Sequence, residues 1–266
     1  MRIRRLGWSG LEIEAGDETA VVDLIEDTTP LLSVRDLEGQ FPPVSRPGNA
    51  RLALVTHLHA DHADPAAIAA AVRADATVLR PPPARGGEEE VVWTARAESG
   101  FTEQRLTSRV VGDWERHRSG PFEVTAVPAV DGLGDPQVNW VIEAEGTRIF
   151  HGGDTMFHGM WWLIAARYGP FDAAFLPING AVVDFPHLQP PSPLAAAMDP
   201  RQAAVAARIL GAHRAVPIHY RALHMPPRYV EVDDPEETFQ RHTAELGVTS
   251  VILPPGEWLE LAGEPA

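Results

Sequence analysis

Apolar and polar positions alternate in short bursts over the first twenty-odd residues. Segments 2–6, 11–14 and 19–23 read as strands, with turns at Gly7, Ser9-Gly10 and Gly16-Asp17. A proline-bearing stretch, 28–49, leads to the apolar run Leu52-Ala53-Leu54-Val55, the pattern of a strand buried on both faces. Asp64-Pro65 then supplies a helix cap and a proline at the first helical position, predicting a helix over 66–74. The proline-, glycine- and glutamate-rich stretch 81–104 reads as a surface excursion. Strands resume at 122–127, 137–144 and 147–150, the last two joined by a hairpin turn at Glu145-Gly146. A helix is expected over 157–167 and a strand over 173–176. After a proline-bearing insertion at 179–197, Asp199-Pro200 caps a helix over 201–210. A strand at 215–218, a helix at 236–246 and two short strands, 251–253 and 257–261, complete the pattern.

Strand groups with interspersed helices, no internal repeat and no clean linker predict one α/β domain over 1–266, with two sheets packed together and covered by helices. The 266 residues suffice for a substantial core. A net charge of −15 disfavours a nucleic-acid-coating role, because that affinity rests mainly on basic residues facing phosphates. A small anionic substrate is still compatible with it, since a bound metal can invert the local field. No apolar run reaches the ~18 residues of a membrane span, and no signal-like segment follows the basic start. The expectation is therefore a cytoplasmic protein without a membrane partner, and a homo-oligomer is compatible with the sequence. The absence of cysteine removes disulfides and every thiolate metal site, leaving His, Asp and Glu as ligands.

The chemistry concentrates in Thr56-His57-Leu58-His59-Ala60-Asp61-His62, just past the buried run. His57 and His59 are two apart, so an extended backbone points both to one side. Asp61 and His62 sit where the loop turns toward the helix and can face a second point nearby. Paired catalytic metals lie about 3.5–4 Å apart, and this arrangement suits such a pair.

This segment resembles the His-x-His-x-Asp-His signature of the metallo-β-lactamase superfamily. The resemblance implies an αββα sandwich of two mixed sheets flanked by helices. It also implies further ligands, supplied here by Asp154 in Phe150-His151-Gly152-Gly153-Asp154-Thr155 and His219 in Val216-Pro217-Ile218-His219-Tyr220. Leu6-Gly7-Trp8-Ser9-Gly10 and Met198-Asp199-Pro200 look most like the branch that includes L-ascorbate-6-phosphate lactonase. One station departs from the pattern: where relatives place a histidine, Val127-Pro128-Ala129 is followed by Val130-Asp131-Gly132, and Asp131 is its substitute.

The implied assignment has His57, His59 and Asp131 on one divalent ion and Asp61, His62 and His219 on the other, with Asp154 between them. Two divalent ions, the two carboxylates usual in that family and a hydroxide sum to about +1, and Asp131 brings this to about 0. A harder first site shifts preference toward manganese or iron, with zinc still allowed. The expected activity is hydrolysis of a small-molecule ester, lactone or related bond by metal-activated water, with Asp61 and Asp154 as catalytic carboxylates. The alternatives are a phosphodiesterase or nuclease on the same scaffold, and a non-catalytic metal or ligand sensor with an altered first site. Substrate contacts are expected from His158, Trp161, His187, Tyr220 and Arg221, and the insertion is a candidate lid.

Overall fold

A computed structural model describes residues 1–28, 37–186 and 188–261. The chain begins with β1 (Arg2–Arg5), β2 (Leu11–Ala15), β3 (Glu18–Val22) and β4 (Ala50–Leu54). These are followed by α1 (Pro65–Ala71), β5 (Val72–Arg80), α2 (Glu88–Glu103) and β6 (Ser108–Val110). Then come β7 (Arg116–Ser119), β8 (Phe122–Pro128), β9 (Val138–Ala144), β10 (Thr147–His151), α3 (Trp161–Tyr168) and β11 (Ala173–Pro177). The remainder comprises β12 (Val182–Val183), α4 (Pro200–Leu210), β13 (Arg214–Ile218), β14 (Tyr229–Val230), α5 (Pro235–Glu245), β15 (Thr249–Ser250) and β16 (Trp258–Glu260).

Two seven-stranded sheets form, in the orders β16-β1-β2-β3-β4-β5-β6 and β15-β13-β11-β10-β9-β8-β7. Both are mixed. The first is antiparallel from β16 to β3 and parallel from β3 to β6; the second is antiparallel from β7 to β10 and parallel from β10 to β15.

Strand periodicity explains the layering. Val22, Leu52, Leu54, Trp140, Ile142 and Phe175 point into the core between the sheets. Their neighbours Val21 and Ala53 face outward onto α1 and α2, through Ile68, Ala97 and Phe101. Val141, Ala174 and Leu176 face outward onto α3, α4 and α5, through Trp161, Ile164, Ala207 and Phe239. Because such strands are buried on both faces, their sequences run continuously apolar instead of alternating. Each fully buried Leu, Ile or Phe contributes roughly 1.5–3 kcal/mol relative to exposure. The result is the four-layered αββα arrangement expected from the sequence.

The predicted caps are present. Asp64 accepts from the amides of Ala66 and Ala67 at 3.0 and 3.1 Å, and Asp199 forms a capping box with Gln202. Glu145 and Gly146 both have positive φ, 51° and 74°, as a two-residue I′ hairpin turn requires.

Three expectations are corrected. The first helix ends at Ala71 instead of 74, because Val72–Arg80 enters the sheet as β5 between β4 and β6. The supposed excursion 81–104 contains α2, whose face is small: Thr94, Ala97 and Phe101 are buried, at helical spacings of three and four, and Gly100 abuts Pro65 of α1. So few large apolar side chains leave little periodic signal. Residues 251–253 are not a strand; β15 precedes them, at Thr249–Ser250. No helix among the described residues is long and apolar enough to cross a membrane.

Candidate metal centre

The histidine-rich loop leaves β4 between the two sheets, where the amide of Val138 on β9 donates to the Thr56 carbonyl at 2.9 Å. Asp23, at the end of β3 and fully buried, accepts from the Thr56 amide at 2.8 Å and its hydroxyl at 2.7 Å. The same carboxylate lies 2.8 Å from His62 Nδ1. A proton on Nδ1 leaves Nε2 as a lone-pair donor aimed the other way. That nitrogen is buried without a hydrogen-bond partner, 3.6 Å from Asp61 Oδ2 and 3.9 Å from Asp154 Oδ2.

His219 follows β13 with φ +55°, and its amide donates to the Trp8 carbonyl at 2.9 Å. Its ring centroid stands 3.7 Å from that of Trp8, and its Nε2, also unpartnered, lies 3.8 Å from both Asp61 Oδ2 and Asp154 Oδ2. The Trp8 indole N–H donates to Asp61 Oδ2 at 3.0 Å, fixing that carboxylate. Asp154 leaves β10 through Gly153, whose φ is +54° and where a Cβ would stand 2.8 Å from Thr56 Oγ1. Gln137 donates to Asp154 Oδ1 at 2.9 Å.

Two orphaned nitrogens and two carboxylates thus converge on one point. Ligands bound at about 2.0–2.2 Å around one ion have contacts of roughly this spacing, so Asp61, His62 and His219 fit a divalent metal.

The other side of the cluster is arranged differently. His57 Nε2 and His59 Nδ1 are 3.0 Å apart, near the edge length of a tetrahedral site, and His57 Nδ1 is 3.7 Å from Asp154 Oδ1. Asp154 thus faces His57 Nδ1 with Oδ1, and His62 and His219 with Oδ2. His59 Nε2 lies 2.5 Å from Asp135 Oδ2. Asp131 turns one oxygen back on its own loop, accepting from the amides of Leu133 and Asp135 at 3.1 and 2.7 Å.

The expected trio of His57, His59 and Asp131 does not form a single cluster. His57 and His59 group with Asp61, while Asp131 groups with His59 and Asp135. Sequence reasoning missed Asp135 and Asp23. The available signals were a second aspartate closing the Asp-Gly-Leu-Gly-Asp turn, and an aspartate ending the apolar run of β3.

The charges oppose one another around this point. Burial pushes Asp154 up to about 7, with Asp131 and Asp61 adding to it against His62. Burial works to lower His62, but Asp61, Asp23 and Asp154 outweigh it and lift the imidazole to about 10. Asp61 is held well below the usual carboxylate range by His62 and His219, despite its own burial. Burial brings His219 down to about 4 and also depresses His57. His57 and His219 are thereby kept neutral, while the carboxylates around His62 hold its proton in the place a divalent cation can take.

Asp61, Asp131, Asp154, His59 and His219 form the floor of a cleft. Its sides are Trp93, Leu133, Ala181, Val183, Phe185, Ala196, Ala197, Leu223 and Tyr229. The 179–197 insertion is thus a wall, stitched by β12–β14 pairing and by amide-to-carbonyl bonds from Ala196 to Ala181 (2.8 Å) and Asp184 to Arg228 (2.9 Å). A Cβ on Gly132 would stand 1.9 Å from the Ala196 carbonyl oxygen, so the Asp131 turn and this wall touch backbone to backbone.

Four of the five residues expected to contact substrate are elsewhere. Trp161 is fully buried between Phe150 and a stacked His158, whose Nδ1 accepts from the Met160 amide. The Tyr220 hydroxyl is held by Arg5 and Glu236, and Arg221 pairs with Glu236 at 2.7 Å. None of these four lines the cleft. His187 lies outside the described residues. His151 bonds the Ser9 carbonyl at 2.8 Å and ties β10 to the N-terminal turn.

The profile of a family described as "Beta-lactamase superfamily domain" matches residues 27–220, a span that holds the histidine loop, Asp131, Asp154 and His219. The chain belongs to the beta-lactamase superfamily. A UPF0173 metal-dependent hydrolase of Rubrobacter xylanophilus is 34% identical over 219 residues, 80% of this chain and 79% of the relative. Another from Thermococcus kodakarensis is 28% identical over 273 residues, 98% of this chain and 100% of the relative. Among solved structures, CmlA, a diiron beta-hydroxylase from Streptomyces venezuelae, superposes with a TM-score of 0.72 at 18% identity, over 98% of this chain and 54% of that one. That likeness shows the fold alone. The coarse function, a metal-dependent hydrolase of this superfamily, comes from the sequence relatives and fits the donor set at the cleft floor.

Proposed function

We propose that the protein hydrolyses a small-molecule ester, lactone or related carbonyl bond at a dinuclear metal site. The observation that carries this reading is the pair of buried, unpartnered nitrogens, His62 Nε2 and His219 Nε2, facing Asp61 and Asp154 at the base of a cleft. Asp61, His62 and His219 would hold one ion, and His57 and His59, with Asp131 and Asp154 nearby, would hold the other. Zinc, manganese and iron all accept imidazole and carboxylate together.

Bound divalent ions there supply Lewis acidity and bring a water's pKa toward neutrality. Asp61, fixed by the Trp8 indole, steers the attacking water, and Gln137 holds Asp154 in place. Asp23 and Asp135 orient His62 and His59 by accepting from their outward nitrogens. The printed name of the sequence relatives, metal-dependent hydrolase, supports hydrolysis as the reaction class.

The test is metal analysis of gently purified full-length protein together with turnover of an ester, lactone and phosphodiester panel. Two equivalents of metal, carbonyl-bond hydrolysis, and a fall of about a thousandfold in His62→Ala, or about 4 kcal/mol, are expected. A metal-loaded protein inert to the carbonyl compounds overturns the reading, and turnover confined to phosphodiesters replaces it with the phosphodiesterase.

A further inference from the structure

Resting on the hydrolase reading, we infer that the substrate is an electrically neutral carbonyl compound with an apolar arm, oriented by a hydrogen bond from the Tyr229 hydroxyl. The cleft wall above the metal centre is apolar, with Trp93, Val183, Phe185 and Leu223 as its largest contributors. Among the described residues lining the cleft there is no arginine and no lysine. Arg221, a candidate substrate contact in the sequence, is paired with Glu236. The floor's three carboxylates, Asp61, Asp131 and Asp154, are the groups that face the ions, so the wall alone decides how a far arm is received. A carboxylate or phosphate on a substrate's far arm would lose its water and find no arginine or lysine among the described residues lining the cleft in return. An alkyl or aryl arm gains by the same burial.

Tyr229 supplies the polar contact that such a pocket needs for orientation. It lies on β14, opposite Val183 of β12, so its backbone is fixed in the wall. The side-chain amide of the fully buried Asn179 donates to its hydroxyl at 2.6 Å. The hydroxyl thus has an incoming hydrogen bond, and its own proton meets no acceptor among the described residues. Burial, with Asp61 and Asp154 nearby, pushes the phenol well above its ordinary value, so it stays a donor. A carbonyl or leaving-group oxygen above those two carboxylates is the natural acceptor, and it strengthens that bond as it gains negative charge.

The metal-loaded full-length protein tests this with two probe pairs. The first is a hexanoyl ester against its ω-carboxylated counterpart with the same leaving group. The second is hexanohydroxamate against 5-carboxypentanohydroxamate, whose binding needs no turnover. The neutral member is expected to win by at least about tenfold in kcat/KM and in Kd at physiological salt. Tyr229→Phe is expected to lower kcat on the hexanoyl ester by roughly 10–100-fold with metal content unchanged. Equal or reversed charge preference, or an unaffected kcat in Tyr229→Phe, overturns the inference while leaving the hydrolase reading intact. No turnover of any ester, together with tenfold discrimination between the hydroxamates, overturns the hydrolase reading and upholds the neutral-arm pocket.

Discussion

The floor and the wall of the cleft are built on opposite principles. On the floor, polar atoms are fixed by other polar atoms: Asp23 by Thr56 and His62, Asp61 by Trp8, Asp154 by Gln137, His59 by Asp135. The wall holds its shape through backbone bonds of the β12–β14 ribbon, while its side chains offer apolar surface and one phenol. Water activation needs ligands placed to fractions of an ångström, which a network of charged hydrogen bonds supplies. Recognition of an apolar arm needs shape, which tolerates substitution far better.

Four measurements sharpen or break that contrast. Asp23→Asn, which keeps the shape but removes the charge behind His62, should weaken metal affinity by about 10–100-fold. Competition with a chelator measures it, and unchanged affinity would show that the floor does not depend on its polar supports. At the seam, Gly132→Ala forces a methyl against the Ala196 carbonyl and should cost about 1–3 kcal/mol. Calorimetry should then show a Tm lower by several degrees. Gly159→Ala, where a Cβ meets nothing within 4 Å, serves as the control with little change.

On the wall itself, Phe185→Ala should raise KM for an apolar ester by about tenfold or more, with kcat and metal content nearly unchanged. A loss confined to kcat would mean that the wall shapes the chemistry. The smallest effect concerns Glu231, which accepts from the Arg221 amide at 2.7 Å and which burial pushes up to about 7, against the pull of Arg221. The folded protein then holds a proton on Glu231 that the unfolded chain releases near 4.5, so this residue's contribution to stability falls as pH rises from about 4.5 to 7. Glu231→Gln should remove that component, seen as a wild-type-minus-variant stability difference in urea unfolding that falls as pH rises across the window.

The same contrast governs what the sequence discloses. Three histidines and an aspartate within six residues announce the floor, because few other uses exist for that density, and Asp154 and His219 follow from family resemblance. The buried strands were readable through their apolar runs, and α1 and α4 through Asp-Pro caps. The wall was not readable: Trp93, Leu133, Phe185, Leu223 and Tyr229 come from five separate segments, and nothing local marks them as neighbours. Even the helix that carries Trp93 escaped detection, since α2 packs through Ala97, Phe101 and a glycine. Conversely, Tyr220 and Arg221 adjoin His219 in sequence, but the positive φ at His219 and Arg221 turns the chain toward Glu236.

Trp8 touches the centre twice, its indole N–H on Asp61 and its ring against His219. It is therefore a fluorophore in van der Waals contact with the residues that would carry the ions. Open-shell manganese or iron should darken its emission and closed-shell zinc should leave it bright. With seven tryptophans in the chain, the Trp8→Phe difference spectrum isolates that signal and turns the protein into an optical gauge of its own loading.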